Sequence, residues 1–346
     1  MLPLSKRLLF FLIKNTKNRR GLCNSILLPT FSLDTHFIMT TKGFPTLVWV
    51  AFAAVCIVWG TTYFGIKVAM EYFPPFYFSA FRHGTAGVIF LLLYLTQSRQ
   101  KPSWADIKNG SIAGIFMITG GNALLSWAVM YISSGFAGIL SATAPIFITL
   151  MSIYAFPNFK ITWKITLGLL IAFVGIALLS KPDAGIQLTP EFWMGFSLAI
   201  VANVFWSLGS IYMKKYPVEQ HPFLKTGIQM IPASLINIVI SFIFEPQPDF
   251  SKIDTRGWFD IAYLIFVGSL IGYLSFVYLV KYMAPARLSI HIYVNTVVAV
   301  LVGWALGGEH LNIITWVALT IIMVGVFIVN NEYARMNAKR ALENPV

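Results

Sequence analysis

The chain has 346 residues, of which 57% are hydrophobic and only 11% are charged, and its mean hydropathy is +0.74. A soluble core of ordinary size does not bury that much apolar surface, so the composition excludes an ordinary soluble protein and indicates a membrane protein. The formal net charge of +12 does not indicate nucleic-acid binding, because the Lys and Arg residues lie mainly in short segments between apolar stretches, where they report membrane orientation.

The segment before the first long apolar stretch, residues 1–44, is basic. Its short apolar run, Leu8 to Ile13, does not reach across a bilayer, and no small-residue cleavage site follows it at the spacing of a signal peptide. Two interpretations stay open: a basic cytoplasmic arm, or sequence upstream of a true start at Met39.

Ten apolar stretches follow, each long enough to cross a bilayer core of about 30 Å as a helix. They lie at about 47–67, 76–97, 110–132, 135–156, 163–180, 193–214, 223–244, 259–280, 286–307 and 312–330. The sequence therefore predicts an all-α integral membrane protein with ten transmembrane helices. If the N-terminus is cytoplasmic, only Lys67, Lys181, Lys252 and Arg256 of the loop cations lie outside, which predicts that both termini are cytoplasmic.

The two halves of the chain align with each other. An offset of 147 residues superposes Trp59 on Trp206, Lys67 on Lys214 and Arg82 on Gln229. Because each half has five spans, an odd number, the second half enters the bilayer upside down, as in inverted-repeat transporters. We predict a first repeat at 45–182, a linker at 183–192, a second repeat at 193–331 and a cytoplasmic tail at 332–346.

Each repeat carries a stripe along one helix face, because positions i, i+4 and i+8 of a helix lie on the same side. The stripes are Trp59, Tyr63 and Lys67 in the first half and Trp206, Ser210 and Lys214 in the second. Each stripe has an aromatic ring at one end and a cation at the other. The alternative is that an interfacial Trp and a snorkelling Lys are ordinary features of a membrane helix.

Arg82 lies roughly 10 Å inside the second span, by a rise of about 1.5 Å per residue. An arginine at that depth either faces a wet cavity and a carboxylate or phosphate, or anchors neighbouring carbonyl groups. Polar and aromatic side chains within other spans suit a ligand with an apolar body and polar ends. The candidate substrate-binding residues are Trp59, Tyr63, Arg82, Asn122, Trp127, Trp206, Ser210, Gln229 and Asn295.

The carboxylates fall in loops, in tails or at the rims of spans, Asp260 among them, so the sequence gives no support to a proton relay on a buried carboxylate. Glu309 and His310 form a pair of an acidic side chain and an imidazole near the outer end of span 9. Their role is either ion coupling or stabilisation of the helix end. Pro145 removes a backbone donor from the fourth span and predicts a kink, for gating or for packing. Lys67, Pro145, Lys214 and Glu309 are the candidate gating or coupling residues.

Enzyme and nucleotide-binding signatures are missing from the sequence: it contains no H-E-x-x-H, G-x-x-x-x-G-K-[ST] or G-x-S-x-G motif. The two cysteines form no metal motif. We therefore predict a protein that is not an enzyme and has no cofactor and no metal, whose transport runs on gradients. The predicted partners are a small-molecule substrate and the lipid bilayer, and the oligomeric state is open between monomer and homodimer.

Several motifs occur in a characteristic order between residues 45 and 331. They are W-G-T-T-Y-F-G-I-K at the end of span 1, F-R early in span 2, A-P-I-F in span 4, G-G-E-H after span 9 and M-V-G-V in span 10. Together they resemble the EamA-type members of the drug/metabolite transporter superfamily. The pattern touches Trp59, Gly60, Lys67, Arg82, Pro145 and Glu309, whereas Thr296 and Asn158 stand where the matching proline and glutamate of the other half are expected.

The resemblance implies a ten-helix inverted-repeat fold, a central cavity, alternating access and export of amino acids or related metabolites from a bacterial cytoplasm. We therefore expect an inner-membrane secondary transporter. Two other functions stay open: a lipid-linked-sugar flippase or non-transporting membrane subunit, and an integral-membrane enzyme that acts on lipids.

Overall fold

The structure, a computed structural model, describes residues 46–98, 101–155, 161–179, 189–218, 221–283, 290–309 and 312–343. These residues form helices joined by short connections, and no strand occurs among them. The predicted basic arm, residues 183–188 of the linker and His310 of the Glu309–His310 pair lie outside the described residues.

The described helices follow the predicted stretches in chain order. In the first half they are α1 (Thr46–Ala69), α2 (Pro75–Gln97), α3 (Trp104–Ala128), α4 (Ser134–Ala155) and α5 (Trp163–Leu179). In the second half they are α6 (Pro190–Lys215), α7 (Pro222–Phe244), α8, α9 (Ile290–Gly307) and α10 (Ile313–Glu343). Helix α8 consists of Thr255–Tyr263, Leu264–Ile271 and Gly272–Tyr282 in direct succession.

Among the described helices, eight are long and apolar enough to cross a membrane, and α5 and α9 are shorter apolar helices. Large apolar side chains such as Leu92, Leu235 and Phe244 are exposed on the outside of the bundle. A helix facing lipid needs no polar surface there, because its backbone groups are satisfied within the helix. The predicted all-helical membrane fold is therefore confirmed.

Two helices begin earlier than hydropathy predicts because polar residues cap their first turns. Ser103 and Asp106 form a reciprocal capping box at the start of α3. Asp254 accepts a hydrogen bond of 2.9 Å from the backbone N–H of Gly257 at the start of α8. Asp260, the second residue of the span predicted from hydropathy, therefore lies in the second turn of helix α8.

Helix α10 continues to Glu343, past the boundary predicted at residue 331. The residues after this boundary are rich in Ala, Arg, Lys and Glu, which are good helix formers. Loss of apolar character ends the predicted span there, but it does not end the helix.

Several helices at the same position in the two halves pack against each other. Helix α2 packs against α7, α4 against α9 and α5 against α10, so three pairs join helices at the same position in each half. In addition α1 packs against α8 and α9, and α6 packs against α3 and α4. Each contact of α1 with the second half thus has a counterpart made by α6 with the first.

Three segments depart from regular α-helix. Residues Ile115–Ala123 of α3 and Leu264–Ile271 of α8 are π-helical, a form that is frequent at functional sites. In each, a polar side chain donates to the carbonyl five residues earlier: Asn122 Nδ2 to Met117 O at 3.3 Å and Ser269 Oγ to Leu264 O at 3.1 Å. Helix α4 is interrupted between Ser134–Ser141 and Ala144–Ala155, immediately before Pro145.

Candidate functional site

Arg82 lies in a buried polar cluster between α1, α2 and α8, and its residue surface is only 6% exposed. Its Nε donates a hydrogen bond of 3.2 Å to Ser269 Oγ in the π-helical part of α8. The guanidinium of an arginine has five N–H donors in total, so this single contact leaves most of its binding capacity available. Among the described residues, Arg82 forms no ion pair with a carboxylate.

Close helix approach creates the cluster. Gly268 of α8 lies against both Thr62 of α1 and Arg82 of α2: a Cβ atom added there would stand 3.1 Å from Thr62 Cγ2 and 3.3 Å from Arg82 Nη2. A larger residue at this position would push α8 away from both helices. The close approach of the helices at Gly268 therefore also places the π-helical segment beside the arginine.

The motif at the end of α1 supplies polar groups to the same region. The hydroxyl groups of Thr61 and Tyr263 are 2.5 Å apart, and they connect α1 to α8. One turn further, a Cβ on Gly65 would stand 3.2 Å from Asp260 Oδ1. The first half thus contacts the second through Thr61, Gly65 and Arg82.

Asp260 is the acidic member of this cluster. It interacts electrostatically with Arg82, although no ion pair joins the two. Its Oδ2 atom is buried and finds no hydrogen-bond partner in the described part of the chain. A buried carboxylate oxygen without a donor is costly, which makes Asp260 a candidate for binding a ligand or a proton.

A second cluster lies where α1, α3 and α9 end. The carboxylate of Glu309 accepts hydrogen bonds from Ser134 N at 2.6 Å, Ser134 Oγ at 2.8 Å and Gly135 N at 3.0 Å, so it caps the start of α4. Negative charge is favourable at a helix N-terminus, where backbone N–H groups lack partners. Lys67 Nζ lies 3.7 Å from Glu309 Oε1 and donates to Ile132 O at 3.3 Å.

Glu245 makes a similar contact at the same end of the bundle. Its two carboxylate oxygens accept from Phe76 N at 2.8 Å and Tyr77 N at 3.0 Å, in the first turn of α2. Both Glu245 and Glu309 belong to the second half and cap helices of the first half. Each is thus a charged connection between the halves.

The interruption before Pro145 is stabilised by α6. Asn203 Nδ2 donates to Leu140 O at 2.8 Å, and Ser207 Oγ donates to Ala144 O at 3.2 Å. Proline lacks the N–H that would bond the carbonyl four residues earlier, so the regular ladder is broken here. The polar side chains of α6 therefore contact carbonyl groups on both sides of the interruption, Leu140 O and Ala144 O.

Three candidate binding residues of α1 and α9 lie in a packed interior. Trp59 packs against Phe276 and His291, with ring centroids 5.2 Å and 5.4 Å away. Tyr63 packs against the main buried cluster. Asn295 is buried, and its backbone carbonyl lies against Gly60.

The other candidate residues have local contacts. Asn122 bonds within α3, as described above, and Trp127 packs against Phe76 at a centroid distance of 6.4 Å. Ser210 Oγ donates to Trp206 O at 2.8 Å within α6, and the Trp206 residue is 38% exposed. Gln229 Nε2 donates to Met213 Sδ at 2.8 Å. The structure thus brings Lys67 and Glu309 together, but it does not join these residues into one group.

The two stripe lysines lie at opposite ends of α3. Lys67 contacts Ile132, just beyond the C-terminal end of that helix. Lys214 is exposed, and Tyr212, two residues before it, donates to Asn109 Oδ1 at 3.1 Å near the N-terminal end. A 25-residue helix is roughly 38 Å long, so the lysines are about one membrane thickness apart.

Sequence reasoning missed Asp260, Tyr263, Ser269 and the capping role of Glu245. The available signal for Asp260 was the N-cap residue Asp254, which starts the helix before the apolar stretch. No group of three or more His, Cys, Asp and Glu side chains that could hold a metal ion occurs in the part of the chain that the structure describes.

Comparisons with known proteins agree with this architecture. The sequence is 30% identical over 285 residues to the uncharacterized inner membrane transporter YedA of Escherichia coli, covering 81% of this chain and 89% of that protein. It is 25% identical to an uncharacterized transporter of Archaeoglobus fulgidus, covering 81% and 98%. A crystal structure of another protein shares the fold, with a TM-score of 0.58, 18% identity and coverage of 84% and 98%.

The sequence model of the EamA-like transporter family matches two segments of the chain, residues 46–181 and residues 193–331. These segments include Lys67, Arg82, Asp260 and Glu309. The resemblance inferred from the motifs is thereby confirmed, and it assigns a membrane transporter. The chain belongs to the EamA-like transporter family.

Proposed function

We propose that this transporter is a secondary exporter of amino acids or related small metabolites in a bacterial inner membrane. In this proposal, two five-helix halves of opposite orientation alternate access to a site between them, and both termini are cytoplasmic. The observation that carries the proposal is the buried Arg82, which is contributed by the first half and contacts α8 of the second half through Ser269.

The inverted repeat is supported by three independent features. The helix pairs α2–α7, α4–α9 and α5–α10 join corresponding members of the halves. Both π-helical segments occur in corresponding helices, α3 and α8. The family model matches each half separately. An inverted repeat places binding sites at the interface of the repeats, where Arg82 lies.

Alternating access is supported by the carboxylates that connect the halves at the Lys67 end. Glu309 and Glu245 cap α4 and α2 through hydrogen bonds that break when the halves separate there. We assign Lys67 and Glu309 to the gate at this end, with Pro145 as a bend in α4 and Lys214 at the other end.

The substrate role of Arg82 follows from its charge and burial. A guanidinium binds a carboxylate through two parallel hydrogen bonds, and the interior location makes an unpaired cation costly. A carboxylate-bearing solute is therefore the expected ligand, with aromatic residues such as Trp59 beside its apolar part.

The test is efflux of an equimolar mixture of radiolabelled amino acids from liposomes that contain the purified protein. Wild-type protein should accelerate efflux of at least one of them. Arg82→Gln places at this position the amide that stands at the corresponding position of the second half, and it should slow efflux by about ten- to a hundredfold, since a hydrogen bond to a charged group is worth about 1.5–3 kcal/mol.

Lys252→Gln is the matched control, because the Lys252 side chain is exposed and its loss should leave efflux unchanged. Arg82→Lys keeps the charge without the planar donor fork and should retain part of the activity. If vesicles with folded wild-type protein release none of the amino acids, or if Arg82→Gln transports normally, the proposal is wrong.

A further inference from the structure

Asp260 and Arg82 form a pair of opposite charges that face one region without binding each other. Arg82 donates to Ser269, and Asp260 Oδ2 has no hydrogen-bond partner among the described residues. A carboxylate and a guanidinium that share a membrane interior normally form an ion pair, because each alone is costly there. Asp260 Oδ1 lies beside Gly65, Arg82 Nη2 lies beside Gly268, and Leu264 lies against both glycine positions, so the carboxylate and the guanidinium occupy neighbouring positions along α8.

We propose that Asp260 is the exchange site of this transporter: its carboxylate binds the ammonium group of a zwitterionic amino acid whose carboxylate is held by Arg82, and a proton displaces that ammonium. This inference rests on the proposed function and names its substrate class and coupling ion.

The two groups together match the charges of the proposed solute. A zwitterion places a cation and an anion on neighbouring atoms, so it neutralises Asp260 and Arg82 at the same time without leaving a net charge in the membrane. The free amide N–H and hydroxyl groups of other solutes do not replace the ammonium charge. A site of this kind therefore selects against solutes that carry only a carboxylate.

Proton coupling follows because a proton and an ammonium group compete for one carboxylate. When the ammonium leaves, Asp260 takes up a proton, and when the proton leaves, it binds the ammonium again. In the proposed cycle the carrier changes sides only with Asp260 occupied, and since binding is mutually exclusive, each amino acid that moves outward is exchanged for a proton that moves inward. Linkage then requires that acid on one side weakens amino-acid binding on that side.

The charged surroundings of Asp260 come from three elements. Arg82 faces it from α2, and Glu71 approaches from the segment after α1. On α8 itself, Arg256 interacts with Asp260, and Arg256 pairs with Glu71 at 3.4 Å. Tyr263 is engaged by Thr61. Gly65 of α1 has no side chain, which lets Asp260 Oδ1 pack closely against this position of α1.

Proton binding is tested without a solute, by infrared spectroscopy of the purified wild-type protein across a pH titration. A protonated carboxyl group absorbs separately from a carboxylate, and a buried one absorbs at a different frequency from an exposed one. The difference spectrum between wild type and Asp260→Asn should therefore contain a titrating band of a buried carboxyl group, which Asp260→Glu restores. The difference spectrum between wild type and Asp249→Asn, which removes an exposed carboxylate, should lack this band. Absence of a buried-carboxyl band from the first difference spectrum would overturn the proton site.

Coupling is tested in liposomes loaded with the radiolabelled amino-acid mixture. Acidifying the outside should accelerate efflux in wild type and in Asp260→Glu, and this acceleration should be lost in Asp260→Asn. N-acetylated amino acids should not compete with the amino acids in wild type. Competition by the N-acetylated compounds, or full acceleration in Asp260→Asn, would overturn the proposed exchange.

The two measurements separate this inference from the proposed function. If no amino acid moves in wild-type vesicles, the proposed function and the coupling both fail, and the infrared band still decides whether Asp260 takes up a proton. If amino acids move but acid has no effect, the exporter stands and the exchange at Asp260 fails.

Discussion

The carboxylate of Glu309 receives three hydrogen bonds from the start of α4 and lies beside Lys67, so its charge has a structural role in addition to its proposed place in a gate. Its side chain is only 10% exposed, whereas that of Lys67 is 39% exposed. Solvent screens the lysine partner strongly. We therefore attribute most of the stabilisation to the helix N-terminus and little to the ion pair.

The first prediction concerns this cap. Glu309→Gln should lower the free energy of unfolding by about 0.5–2 kcal/mol, the range for loss of a helix cap and its charge. Lys67→Met should have a smaller effect, on the order of a few tenths of 1 kcal/mol. Thermal unfolding in detergent measures both, and Asp249→Asn serves as an exposed control. Equal losses for Glu309→Gln and Lys67→Met would contradict the assignment.

The second prediction concerns acid and the cap of α8. The backbone N–H of Gly257, and then the hydroxyl of Tyr72, hold the pKa of Asp254 below its ordinary value of 3.8. A depressed pKa stabilises the fold at pH values above the ordinary pKa, and this contribution is lost as the pH falls through the lower folded pKa. The start of α8 should therefore loosen below about pH 4.

Hydrogen exchange of residues 255–263 follows this loosening. Asp254→Asn should protect the segment almost as well as wild type at neutral pH, because Asn is also a good N-cap, and it should remove part of the acid dependence. An acid dependence that is identical in wild type and Asp254→Asn would assign the loosening to another group.

At the scale of helices, the sequence predicted the elements better than their irregularities. Each predicted apolar stretch corresponds to a helix in the part of the chain that the structure describes, eight of these helices are long and apolar enough to cross a membrane, and Pro145 lies at the interruption of α4. The π-helical segments were not predictable, because an extra residue per turn leaves no mark in hydropathy. The π-helical segment of α8 nevertheless shapes the candidate site, since Ser269 lies in it and its hydroxyl accepts the hydrogen bond from Arg82.

The other features that the sequence did not predict depend on contacts between residues far apart in the chain. Arg82 was recognisable as a buried charge from its position within a span. Its neighbour Asp260 was not, because hydropathy started that helix at residue 259 while the cap Asp254 starts it earlier. Glu309 was recognised near a mouth, but its role as the cap of α4 depends on a contact across 175 residues.

The third prediction concerns the interruption of α4. Asn203→Leu removes one donor to Leu140 O, which keeps Thr143 N and Thr143 Oγ1 as donors, so it should destabilise the protein by about 0.5–1.5 kcal/mol, the net worth of one hydrogen bond. Pro145→Ala supplies a backbone N–H, which should let the helix close across residues 142–143 and make the contact of Asn203 less important. Thermal unfolding of both single variants and the double variant gives the coupling. Strictly additive effects would show that Asn203 does not compensate for the proline.

At the scale of the whole molecule, the proposed inverted repeat places Lys67 and Lys214 on opposite sides of the membrane. Their positions at the two ends of α3 agree with this arrangement. The family model matches both halves but does not orient them, so sidedness needs its own measurement.

The fourth prediction therefore uses a thiol reagent that does not cross membranes. In a background without Cys23 and Cys56, Lys67→Cys should react from the periplasmic side of sealed cells, and Lys214→Cys should react only after the membrane is opened. Val218→Cys, a buried position close to Lys214, is the control that should react slowly in both cases. Reaction of both lysine positions from one side would reject the inverted repeat.

Glu245 and Glu309 impose a direction on the conformational cycle of the proposed carrier. Both carboxylates fasten the N-termini of first-half helices, α2 and α4, at the same membrane face. If the halves separate at that face, the two carboxylates and the backbone N–H groups lose these hydrogen bonds and have to be hydrated by water instead. With the proposed orientation, in which this face is periplasmic, an empty carrier should therefore favour the state that is closed toward the periplasm and open for loading from the cytoplasm.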